Sequence, residues 1–135
     1  MSDLYVLDTS ALMDHLRTGC YGERIGALRG AVRMSAVVLA ELWSGASSVV
    51  DLGIVEALAG MFPVLTPTEL DWIDSGRILT TIGMEERLEP ARVRALHFDL
   101  LIALTACSHG ARLVTSNRAD FELIRSYREF RLEVW

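Results

Sequence analysis

Four acidic residues stand in surroundings unlike those of an ordinary surface charge: Asp8 in LYVLDTS, Glu41 in VVLAELWSG, Asp99 in HFDLLIALTA and Asp120 in LVTSNRADF. Asp8 closes a short apolar run, at the C-terminal edge of a strand pattern. Glu41 has Val37, Val38 and Gly45 at one-turn spacing. That puts its carboxylate on or near an apolar helix face, where an unpaired charge costs several kcal/mol. Asp99 heads an almost wholly apolar helical stretch, and Asp120 stands three residues after Asn117. Each has a structural reading of its own. Asp8 suits a strand-to-helix turn, and Asp99 suits the positive end of a helix dipole. Asn117 and Asp120 suit the N-cap and N3 positions of a helix, and Glu41 suits simple solvation.

Together they raise a different question. Four converging carboxylates repel one another and have raised pKa values unless a cation joins them. Arginine would serve, and so would divalent metal; oxygen-only ligands suit Mg²⁺ or Mn²⁺. Lysine is not available, since all 13 positive residues are arginine. That excludes Schiff-base chemistry, P-loop phosphate binding and a receiver-domain acidic site.

Convergence requires a scaffold. Short apolar strands are expected over residues 4–7, 31–34, 62–65, 112–115 and 130–134. Helices are expected to alternate with them. Ser10 is read as capping the first helix, with 23–29 helical next. Ser35 caps a helix running to about Ser44, which Gly45 closes, and 48–60 follows. Thr66 or Thr68 opens a long helix with Leu70, Ile73 and Leu79 on one side. Pro90 marks a break before a short turn at 91–96, a separate helix at 99–109 with Gly110 at its end, and a last helix at 118–125. Such alternation implies a single α/β sandwich over residues 1–135, with about five parallel strands covered on both faces. Functional groups in these sheets gather beyond the strands' carboxyl ends.

The bulk properties agree with one compact domain. The chain has 135 residues, 51% hydrophobic and 23% charged, with three prolines. No apolar stretch approaches the ~20 residues that span a bilayer, and Asp3 and Asp8 interrupt any leader-like segment. The expectation is a soluble cytoplasmic protein without membrane attachment. Cys20 and Cys107 read as structural filler. The net charge of −5 argues against a broad basic nucleic-acid surface.

The stretches LDTSALMDHL (7–16), SAVVLAELWSG (35–45), FDLLIALTA (98–106) and LVTSNRADF (113–121) resemble, in order and spacing, the PIN-domain nucleases, and among them the VapC-type toxins of bacterial toxin–antitoxin pairs. The resemblance spans essentially the whole chain. It implies a three-layer PIN-like domain whose acidic metal-site quartet is Asp8, Glu41, Asp99 and Asp120. Thr9, Thr115 and Asn117 match positions that support the quartet through hydrogen bonds. Family members often carry aspartate at the position of Asn117, so a strongly held second metal is not implied. His97 matches no family ligand and reads as a packing or surface residue.

The resemblance further implies a Mg²⁺- or Mn²⁺-dependent endoribonuclease acting on tRNA or rRNA. A homodimer inhibited by a cognate antitoxin is also implied. Arg17, just past the first helix, and Arg118, beside the site, are candidates for RNA phosphate contacts or for solvated surface charges. Apolar residues at Trp43, 49–52 and 58–62 would line an antitoxin groove or belong to the core. Two alternatives stay open: a non-catalytic RNA- or protein-binding PIN module, and a PIN nuclease of RNA maturation or structured DNA.

Overall fold

A computed structural model describes residues 3–135. Its strands are β1 (Asp3–Leu7), β2 (Gly30–Ser35), β3 (Val64–Leu65), β4 (Ala111–Thr115) and β5 (Leu132–Val134). The helices are α1 (Thr9–Thr18), α2 (Gly22–Gly26), α3 (Ala36–Gly45), α4 (Val49–Met61), α5 (Glu69–Glu85), α6 (Pro90–Ser108) and α7 (Arg118–Tyr127). All strand pairs are parallel, in the order β3-β2-β1-β4-β5. The chain therefore builds outward from β1 through β2 to β3, then crosses back to lay β4 on the other side of β1. This reversal leaves a crevice outside the carboxyl ends of β1 and β4, where open α/β sheets place their ligands.

The central strands are buried on both faces, with Val6, Leu113 and Val114 at 0% exposure, which accounts for their continuous apolar runs. α6 supplies the largest single share of the core, with Leu96, Leu100, Leu101 and Ile102 fully enclosed.

Four expectations are corrected. Residues 90–108 form one helix rather than a turn followed by a separate helix. Pro90 takes the first helical turn, where its missing N–H has no partner to lose, so it starts the helix instead of breaking it. Asp99 consequently lies mid-helix and cannot be a cap. In α5 the buried line is Asp71, Ser75, Leu79 and Ile82, while Leu70 and Ile73 are 60% and 46% exposed. Asp71 is buried because it completes a capping box with Thr68 and accepts a 2.6 Å hydrogen bond from Ser108 Oγ. Hydrophobicity alone therefore picked the wrong face. Finally, Asp8 rather than Ser10 caps α1, accepting from the Ala11 amide at 2.9 Å. α3 ends with an extended Ala46 after Gly45, not with a left-handed glycine.

Candidate functional site

The site is built where β1 and β4 end. Leu7 pairs with Val114, and the Asp8 amide continues the ladder by donating to the Val114 carbonyl at 2.9 Å. This fixes Asp8 beside Thr115, and the two hydroxyl-rich loops interlock. Thr115 Oγ1 donates to Asp8 Oδ2 at 2.7 Å, and Ser10 Oγ lies 2.8 and 2.9 Å from the two carboxylate oxygens. Asp8 is 2% exposed. Burial raises its pKa, against the hydrogen bonds from Thr115, Ala11 and Ser10 that favour the charged form. Ser116 Oγ donates to Asp14 Oδ2 at 2.8 Å and lies 3.2 Å from Ser10 Oγ, closing a polar bridge between α1 and the loop after β4.

Glu41 approaches from α3. Ser35 starts that helix, accepting from the Val37 and Val38 amides at 3.1 and 3.3 Å. Glu41 then falls on the side facing α1, where Thr9 Oγ1 donates to its Oε1 at 2.7 Å. α7 brings Asp120. Asn117 Oδ1 accepts the Asp120 amide at 3.4 Å, and Asn117 Nδ2 donates to Asp120 Oδ2 at 2.9 Å. One asparagine thus caps α7 and orients the acid. Thr115 Oγ1 in turn accepts the Asn117 amide at 2.9 Å, tying the cap to Asp8.

Asp99 lies among the other three. Burial, followed by the charges of Glu41, Asp120 and Asp8, pushes its pKa up to about 7, against a partial opposing pull from Arg92. The four sequence-predicted carboxylates therefore share one electrostatic neighbourhood centred on Asp99. Thr9, Thr115 and Asn117 each hydrogen-bond within it. Arg17 lies in the last turn of α1 rather than past it, at the wall of an adjoining cavity. Arg118 opens α7 and stands 4.0 Å from Glu122, without a hydrogen bond to the quartet. His97 is a packing residue: its Nε2 is 3.1 Å from Ser75 Oγ, and its ring sits edge-on to Trp72.

Sequence reasoning missed Arg92, Ser10, Ser116 and Asp14. Arg92 Nη2 contacts Asp120 Oδ1 closely, and Nη1 donates to Oδ2 at 3.5 Å. Burial works to raise the Asp120 pKa, but the hydrogen bonds from Arg92 and Asn117 prevail and lower it. The available signal was the seven-residue interval from Arg92 to Asp99, two turns along one helix face. Dividing α6 at residues 96–99 concealed it.

The donor set fits a hard divalent cation in kind: four carboxylates and surrounding hydroxyls, with no sulfur or imidazole. The negative charge crowded around Asp99 is the electrostatic counterpart of that fit. Among the described residues, however, no three acidic, histidine or cysteine side chains stand ready-arranged to hold an ion. The oxygens of Asp8, Glu41 and Asp120 are instead engaged by Ser10 and Thr115, by Thr9, and by Arg92 and Asn117.

Beside Glu41 opens a cavity of about 620 Å³, lined by Thr9, Arg17 and Asp51 together with apolar Met13, Leu16, Leu42, Ile54, Val55 and Phe98. The expected groove residues largely fall elsewhere. Trp43, Val49, Val50 and Leu52 are exposed outside this cavity, whereas Leu58 and Phe62 pack against the core. No helix among the described residues is long and apolar enough to cross a membrane.

A PIN-domain family model matches residues 5–126 of this chain, whose sheet is all-parallel and five-stranded, and the chain belongs to that family. No curated protein matches it in sequence. Among solved structures it is similar to a chain of DNA-bound VapBC from Salmonella typhimurium, with a TM-score of 0.75, 24% identity, and coverage of 100% of this chain and 99% of that one. VapBC-1 from nontypeable Haemophilus influenzae gives a TM-score of 0.73 at 25% identity, covering 98% of both chains. VapBC2 from Rickettsia felis, bound to a promoter DNA fragment, gives 0.73 at 20% identity, again with 98% coverage of both.

Proposed function

We propose that this chain is the nuclease toxin of a VapBC-like toxin–antitoxin pair, hydrolysing phosphodiester bonds in tRNA or rRNA with Mg²⁺ or Mn²⁺. The observation that carries the reading is the gathering of Asp8, Glu41 and Asp120 around a destabilised Asp99 charge. The likeness to VapBC chains supports the toxin assignment. Asp8 and Asp99 would hold the main ion, Glu41 would bind it directly or through water, and Asp120 would complete the centre or orient the nucleophile. A bound divalent cation supplies Lewis-acid stabilisation of the phosphoryl oxygens and makes water a better nucleophile near neutral pH.

The chain's own residues do the rest. Thr115 and Ser10 fix the Asp8 carboxylate, Thr9 fixes Glu41, and Asn117 fixes Asp120. With metal-activated water as the nucleophile, the products would be a 5′-phosphate and a 3′-hydroxyl, with no covalent intermediate. Arg17 lies at the cavity wall where an RNA phosphate could meet it, and the apolar cavity beside Glu41 suits a helical or extended antitoxin segment. Exposed Trp72, Met84 and Val50 offer apolar surface for a homodimer.

The deciding experiment is cleavage of purified tRNA and rRNA in Mg²⁺ or Mn²⁺, with EDTA and Asp99→Asn as controls. The reading requires cleavage that EDTA stops and that Asp99→Asn loses by about a hundredfold or more. Equal cleavage by wild type and Asp99→Asn would overturn the site. Sequencing the new 5′ ends of cellular RNA after brief induction identifies the substrate and separates an RNA toxin from a nuclease of structured DNA.

A further inference from the structure

Asp120 is the one member of the quartet that already has a cation. Among the described residues, none of the six ion pairs other than Arg92–Asp120 involves Asp8, Glu41, Asp99 or Asp120. Arg92 stands in the first turns of α6, on the same face as Asp99 and roughly 10 Å before it along the axis. From there its guanidinium fork reaches across to α7 and meets both Asp120 oxygens, while Asn117 Nδ2 takes a further lone pair at 2.9 Å. Three donors thus occupy three of the roughly four lone-pair positions of this carboxylate. The Arg92 side chain is 41% exposed against 18% for Asp120, so the guanidinium has solvent to withdraw into and the acid does not.

We propose that Arg92 is a built-in counter-cation of the acidic centre: it grips Asp120 when no metal is present, and a divalent cation gains Asp120 only as the guanidinium lets go. This rests on the metal-centre reading above. The competition is direct, because a carboxylate oxygen gives its lone pairs either to N–H donors or to a metal. Bidentate arginine is the form of pairing that engages both oxygens at once. Arg92 is therefore a positioning residue for the candidate centre, and it sets the metal concentration at which Asp120 joins it.

Isothermal titration of Mn²⁺ into metal-free wild type, Arg92→Gln, Asp120→Asn, the double variant and Asp99→Asn tests the idea, with a parallel RNA titration of wild type and Arg92→Gln and thermal melts confirming that each folds. The expected result is Mn²⁺ binding about tenfold tighter in Arg92→Gln than in wild type, equivalent to about 1.4 kcal/mol. In the Asp120→Asn background the same substitution should change affinity less than twofold, because the competition has no object there. An equal gain in both backgrounds would overturn the proposal, leaving Arg92 as a distant charge acting through space. Unchanged Mn²⁺ affinity with weakened RNA binding would overturn it in favour of a phosphate-gripping arginine. Mn²⁺ binding that Asp99→Asn leaves intact, or no binding by either wild type or Arg92→Gln, would instead sink the metal-centre reading itself.

Discussion

Asp99 carries a large electrostatic cost, which Arg92 only partly offsets. Unfolded, it loses its proton near the ordinary value of 3.8; folded, it does so only near 7. The native state holds the extra proton across that window. Metal-free stability should therefore fall as pH rises from about 4 to 7 and stay low above it. Asp99→Asn removes the charge at nearly constant volume. In EDTA it should be more stable than wild type by about 2 kcal/mol at pH 8, with the gain shrinking toward pH 4; urea denaturation across pH measures this. A gain independent of pH would contradict the crowding of charge at this residue. The same proton predicts that Mn²⁺ affinity climbs as pH passes 7, since the ion competes with it. Asp8 is raised by burial too, but donors from Thr115, Ser10 and the Ala11 amide offset part of that cost. Thr115→Val leaves Asp8 Oδ2 with one donor fewer and should destabilise the fold by about 1–3 kcal/mol, read from the shift in denaturation midpoint.

The helices explain why some of the site was legible and some was not. Asn117 could be assigned as a cap because the signal is local: a short polar side chain ahead of an amphipathic run. Its structure agrees, and Asn117→Ala should cost about 1 kcal/mol through the lost cap. A parallel loss of the Asp120 hydrogen bond should appear as a larger fall in EDTA than in Mn²⁺, measured by thermal melts. Asp8, Glu41 and Asp99 were legible for a related reason, as charges stranded in apolar runs. Arg92 was not, because its meaning depends on whether residues 90–108 form one helix or two. Proline is ambiguous between starting and breaking a helix, and only packing of the continuous face of Leu96 and Leu100 decides it. α5 failed differently: buried Asp71 and Ser75 carry the inward line because Thr68, Ser108 and His97 satisfy them, and no periodicity of apolar residues reports that.

The alternation of strands and helices was enough to anticipate a parallel sheet, yet the order β3-β2-β1-β4-β5 was not in the pattern. Two-residue β3 and three-residue β5 carry almost no periodic signal, and their places follow from pairing with β2 and β4. The order matters because it sets β1 against β4, so Asp8 and Asp120, far apart in sequence, flank one crevice. It also turns α1 and α3 toward each other, leaving the 620 Å³ cavity between them and α4 with Glu41 in its wall. A partner segment seated there would cover the acidic centre without entering the core. Ile54 tests this arrangement, for it lines the cavity while remaining 38% exposed. Ile54→Glu should leave the melting temperature within a few degrees of wild type, as surface substitutions usually do. It should also weaken capture of an antitoxin encoded by an adjacent reading frame by at least about tenfold, through burial of an unpaired charge at the contact. Coexpression followed by titration of the purified partner measures the loss. Full-strength binding by Ile54→Glu would move the antitoxin off this cavity and onto the exposed apolar surface of α5 or the outer face of α4.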